Sequence, residues 1–181
     1  TFSGSRAFRK VASPRPSPAA LCTEAFDGVT APDLPAGWVA VNVTGVGPMW
    51  VTSTVTPDTP PNDAFINDET TVSDKHLDSR NISISSAAAV LSFRNNFNTE
   101  HDPPPNAVLW DGSVLEISSP NINGGAFTDV TDPAEGGRFV SGPYTGEIDS
   151  TPRTALSGRM AETVTSGREL ATGAKSAPHV E

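Results

Sequence analysis

Apolar positions in this chain come in short clusters, separated by breaks rich in proline, glycine, asparagine and aspartate. Residues 38–43, Trp-Val-Ala-Val-Asn-Val, follow a Pro35-Ala36-Gly37 turn and predict a strand. Residues 49–55 follow a second Gly/Pro break and predict another. Two more are expected over 81–85 and 90–95, the latter with Leu91 and Phe93 alternating with Ser92 and Arg94. Residues 107–110 and 114–118 flank Asp111-Gly112, a pair that turns or kinks a chain. Asn123-Gly124-Gly125 predicts a turn into a strand over 126–130, and 139–144 reads as the last strand. No stretch within this body shows the 3.6-residue period of an amphipathic helix. Short strands with turn signals roughly every 8 to 12 residues predict an all-β fold, an antiparallel β-sandwich of jelly-roll type.

The pattern also divides the chain. Residues 1–22 carry Pro14, Pro16 and Pro18 among few apolar side chains and read as a disordered head or linker. Residues 23–150 form the sandwich domain. Residues 151–181 hold no aromatic residue and no apolar face, and read as a poorly ordered tail. Within the body, the Pro/Asp/Asn-rich stretch 56–74 is longer than loops of compact domains usually are, which marks it as functional or metal-organised.

Charge narrows the partners. Between Glu24 and Ser150 there are 18 carboxylates against four bases, so the body repels phosphate backbones and nucleic acid is not an expected ligand. The same charge suits divalent cations, and it also keeps secreted proteins soluble. No apolar run approaches the ~18 residues of a membrane span. The head has the bases of a secretory leader but no apolar core. Cys22 is the single cysteine and has no internal disulfide partner.

Several phrases resemble bacterial extracellular jelly-roll modules similar to MAM and cleaved-adhesin domains. They are Glu24-Ala25-Phe26-Asp27-Gly28, Leu34-Pro35-Ala36-Gly37-Trp38, Ser73-Asp74-Lys75-His76-Leu77, Leu91-Ser92-Phe93-Arg94-Asn95-Asn96, Asp111-Gly112-Ser113-Val114-Leu115-Glu116-Ile117-Ser118 and Gly124-Gly125-Ala126-Phe127-Thr128-Asp129-Val130. The resemblance implies a sandwich with a structural calcium ion, a secreted or cell-surface location, and a role in binding glycans or surfaces. Such modules continue past a Gly-Arg like Gly158-Arg159 into further strands; nothing here resembles that ending, so the sandwich is expected to be incomplete.

Four constellations carry candidate chemistry. Calcium takes six to eight oxygen ligands. The resemblance points to Glu24 and Asp27 as ligands, and the density of oxygens in the long loop adds Asp63, Asp68 and Asp74; the same residue types also serve plain turns. Second, Glu100, Asp102, Asp111 and Glu116 surround the three prolines 103–105, with His101 among them. Glu100, Asp111 and Glu116 are the catalytic candidates, as the acid and the base or nucleophile of a glycosidase, or beside a metal-activated water that attacks an ester or lactone. Their alternative reading is solvent-facing strand and turn residues. Third, His76 and His101 stand in acidic loops, but no Gly-x-Ser-x-Gly elbow, zinc spacing or phosphate-binding loop accompanies them. Fourth, Trp38, Trp50 and Trp110 stack on sugar rings if exposed and fill the core if not. The leading expectation is a non-catalytic glycan- or surface-binding module of a secreted bacterial protein, with calcium stabilising its loops. The alternatives are a small calcium-dependent hydrolase of glycosidic, ester or lactone bonds, and a structural spacer.

Overall fold

The structure, a computed structural model, describes residues 22–67, 71–84, 86, 88–105, 107–135, 137–149, 153–155, 164–170 and 175–180. The expected disordered head lies outside the described residues except for Cys22, an exposed thiol. The strands are β1 (Val39–Thr44), β2 (Val51–Ser53), β3 (Asp63–Phe65), β4 (Asp74–Asp78), β5 (Ala89–Asn95), β6 (Ser113–Ser118), β7 (Thr128–Asp129), β8 (Arg138–Ser141), β9 (Gly146–Ile148), β10 (Arg153–Ala155), β11 (Val164–Leu170) and β12 (Lys175–Val180). The only helical turns among the described residues are 3-10 turns at Asn123–Gly125 and Pro133–Glu135. The fold is all-β, and every strand pair is antiparallel.

One sheet runs β1-β4-β12-β6-β7 and another β5-β11-β8; β2-β3 and β9-β10 are two-stranded. Burial concentrates on β6, where Val114, Leu115, Glu116 and Ile117 are all buried in succession. A strand with one wet face would alternate; β6 does not, because both its faces are covered. On one side Leu115 and Ile117 join Ile122 and Val130, with Leu91 and Phe93 of β5 and Phe139 of β8 packed against them. On the other, Val114 packs with Ile148 of β9 and Ala155 of β10. Each fully buried aliphatic side chain here contributes about 1.5–3 kcal/mol. Tyr144 touches both clusters. Its hydroxyl accepts the Leu115 N–H at 2.9 Å and lies 3.3 Å from both the Leu115 carbonyl and Asp129 Oδ1.

The sequence pattern and the structure differ in instructive places. No strand forms over residues 81–84, although Ile84 reaches the core. The strand lies earlier, at β4, where Lys75 and Leu77 are buried while Asp74, His76 and Asp78 are half-buried between them. Lys75 counts as polar in any pattern, yet its stem packs inside and its Nζ donates to the Val46 carbonyl at 2.6 Å. The expected strand at 49–55 shrinks to β2, and that at 107–110 to a single bridge between Leu109 and His101.

The segment read as a poorly ordered tail contains β10, β11 and β12, while residues 151–152, 156–163, 171–174 and 181 lie outside the described residues. β11 pairs with both β5 and β8, and β12 with both β4 and β6. Proline within such a strand is unusual, since it has no N–H to donate. β12 meets β4 only at His179 and Val180, and the ladder stops where Pro178 begins. Towards β6 the register continues through Pro178, opposite Leu115. Leu115 asks nothing of it, because its N–H goes to Tyr144 and its carbonyl accepts the Val130 N–H at 3.0 Å.

Candidate functional site

Two acidic regions are candidates, and they are built differently. The first is a corner where the segment after Glu24 meets the start of β3. Phe26 takes a left-handed conformation, φ 64°, which is strained for a bulky residue and costs on the order of 1–3 kcal/mol. Three contacts hold it there. Glu24 Oε1 accepts the Phe26 N–H at 2.9 Å, the Phe26 ring packs edge-on to Trp38 at 4.9 Å, and Asn62 Nδ2 donates to the Phe26 carbonyl at 3.2 Å. Asn62 is buried and is the clasp of the corner. Its amide also reaches the Val29 carbonyl at 2.7 Å, and its backbone N–H donates to Asp27 Oδ1 at 3.1 Å.

Asp63 follows directly, and its Oδ1 is shut off from solvent without a hydrogen-bond partner. Burial raises the Asp63 carboxyl above its ordinary range; a backbone hydrogen bond opposes this, and the nearby Asp58 charge adds to it. Asp58 itself pairs with Arg94 of β5 at 2.8 Å. An unpartnered carboxylate oxygen has the donor type that calcium takes, and calcium completes its shell with carbonyls and water. Among the described residues, no three His, Cys, Asp or Glu side chains gather closely enough to hold a metal between them. Of the remaining expected ligands, Asp74 sits on β4 with its Oδ1 3.2 Å from His76 Nε2, and Asp68 lies outside the described residues.

The second region is a ribbon preceding β6. Its legs are joined by the His101–Leu109 bridge, by Asp102 N–H to the Val108 carbonyl at 2.8 Å, and by Trp110 N–H to the Glu100 carbonyl at 3.0 Å. Its tip carries Pro103, Pro104 and Pro105, which fix the turn. Leu109 anchors the ribbon: its carbonyl accepts the Asp149 N–H at 2.9 Å, and its side chain fills the space a Cβ would take at Gly146. Successive side chains of an extended leg point to opposite sides. Trp110 therefore faces away from that anchor and is 39% exposed. Its indole Nε1 donates to Asp102 Oδ1 at 3.3 Å, which fixes the ring on the ribbon.

The other two tryptophans are half-buried. Trp38 packs on Phe26, and Trp50 Nε1 donates to the Lys75 carbonyl at 3.3 Å. Of the three catalytic candidates, Glu100 is exposed on the ribbon and Asp111 is tied to it through its N–H to the Glu100 carbonyl at 3.4 Å. Glu116 is buried in β6, in register with Asp129 of β7, three residues and about 10 Å along the strand from Ser113. His101 Nδ1 lies 2.8 Å from the Thr99 carbonyl. Asn62 carries no distinguishing signal in the sequence, where it is one polar residue among many in the stretch 56–74. No family model, curated protein or solved structure matches this chain.

Proposed function

We propose that this chain is a glycan- or surface-ligand-binding accessory module of a secreted or cell-surface protein, built as a sandwich of jelly-roll type. The observation that carries the reading is Trp110, an exposed indole fixed by Asp102 on a ribbon that is itself anchored through Leu109. A ring held in one orientation offers a flat apolar face that loses little entropy when a sugar stacks on it. The core cluster that joins β6 to residues of β5 and β8 supports the sandwich reading. Calcium belongs to the other region in this proposal. Asp27 or Asp63 would give it a carboxylate, main-chain carbonyls and water would complete its shell, and it would neutralise charge and stiffen the corner.

Affinity electrophoresis through gels containing neutral, cationic or anionic polysaccharides, in calcium and in EDTA, tests the reading. The expected result is retardation by at least one polysaccharide in calcium. Unchanged migration through all of them removes glycan binding from consideration.

A further inference from the structure

The ribbon's chemistry goes further than a generic sugar platform. Resting on the glycan-binding reading, we infer that the Trp110 face selects amino sugars with a free ammonium group, and that Asp102 sets this preference. Three observations converge on the charge. The Asp102 carboxylate is bonded to the indole itself, so a negative charge sits at the ring's edge. Glu100 is exposed and stands opposite Trp110 on the ribbon, its carbonyl accepting the Trp110 N–H at 3.0 Å. Between Arg94 and Arg138 the chain has seven carboxylates and no lysine or arginine, so the segment that carries the ribbon is acidic.

A pyranose stacked on Trp110 places its ring substituents over this acidic rim. An ammonium there gains twice, from the negative face of the indole and from the carboxylates around it. An N-acetylated sugar keeps the stacking and loses the charge term. A uronate or sulfated sugar meets like charge. Affinity is therefore ordered from cationic to neutral to anionic sugar, with stacking common to all.

Isothermal titration at low ionic strength with a β-1,4-linked glucosamine hexamer, its fully N-acetylated counterpart and a galacturonate hexamer tests this. The glucosamine hexamer binds most tightly and the galacturonate least. Trp110→Ala weakens the glucosamine hexamer roughly tenfold. Asp102→Asn keeps an oxygen acceptor for the indole and removes the charge. It lowers affinity for the glucosamine hexamer roughly threefold and leaves the N-acetylated one unchanged. Added salt erodes the difference between the two sugars. If polysaccharides are bound but affinity survives Trp110→Ala, or the anionic hexamer binds best, the inference fails while the glycan-binding reading stands. If no sugar binds wild-type protein whose circular dichroism shows the β fold, both fail.

Discussion

The corner at Asn62 and the ribbon at Trp110 use the same materials: acidic residues, prolines and a tryptophan within a long connection. They spend them oppositely. At the corner, Trp38 is half-buried against a strained Phe26, and the acids turn inward, where Asp27 accepts a backbone N–H and Asp63 is pressed out of water. On the ribbon the tryptophan turns outward, and its acidic neighbour holds it from the side. What separates them is anchoring. Asn62 draws chain segments together around itself, whereas Leu109 takes the load for the ribbon and leaves the next residue exposed. Acidic composition alone therefore does not distinguish acids folded into a corner from acids displayed beside an exposed ring; the backbone partners do.

The sharpest way to break this comparison is a pair of truncations. Asn62→Ala removes two side-chain bonds, leaves the Phe26 and Val29 carbonyls without their donor, and releases a strained residue. It costs about 3 kcal/mol in chemical unfolding. Trp110→Ala costs less than about 1 kcal/mol, as a substitution at an exposed site should. Equal losses would mean that the ribbon is as structural as the corner.

A second test concerns calcium. Ion bound only to the native state at a hundredfold excess over Kd raises stability by about 2.7 kcal/mol, several degrees in melting temperature for a domain of this size. Asp27→Asn abolishes that rise and Asp102→Asn leaves it intact. A rise lost with Asp102→Asn would move the ion from the corner to the ribbon.

The smallest effect is set by Asp63. Its folded-state carboxyl holds its proton more tightly than the unfolded chain's does, so its contribution to stability is full below the ordinary value of 3.8 and falls as pH rises through the raised value. At neutral pH, without calcium, the buried charge works against folding. Asp63→Asn then melts above the wild type, and the gap closes as the pH falls below the carboxylate range. In calcium the order reverses, because only the wild type gains. Melting curves over pH with EDTA and with calcium give both outcomes.

Much of the fold was legible, because β1, β5 and β6 announce themselves by β-branched and aromatic clusters between turns. β4 was hidden because its inward residues are a lysine and a single leucine. β11 and β12 were hidden because their partners lie on both sides, so backbone ladders hold residues that show no apolar period. Period-two alternation places Leu109 and Trp110 on opposite sides of the ribbon, but not which side meets the protein. Gly146, which makes room for Leu109, decides that, and no pattern near Trp110 reveals it. Glu100, Asp111 and Glu116 lie close in sequence, but the strand that buries Glu116 sets it apart from the exposed Glu100.

Tyr144 is the only tyrosine in the chain, and its hydroxyl is bonded to the backbone of β6 at Leu115. The molecule thus carries its own optical gauge. Phenol absorption, resolved by its second derivative, registers whether β6 is seated, while the share of indole emission that Trp110→Ala removes, leaving Trp38 and Trp50, reports on the ribbon. The seating of the interior and the environment of the ribbon can each be followed without a label, through chromophores already in place.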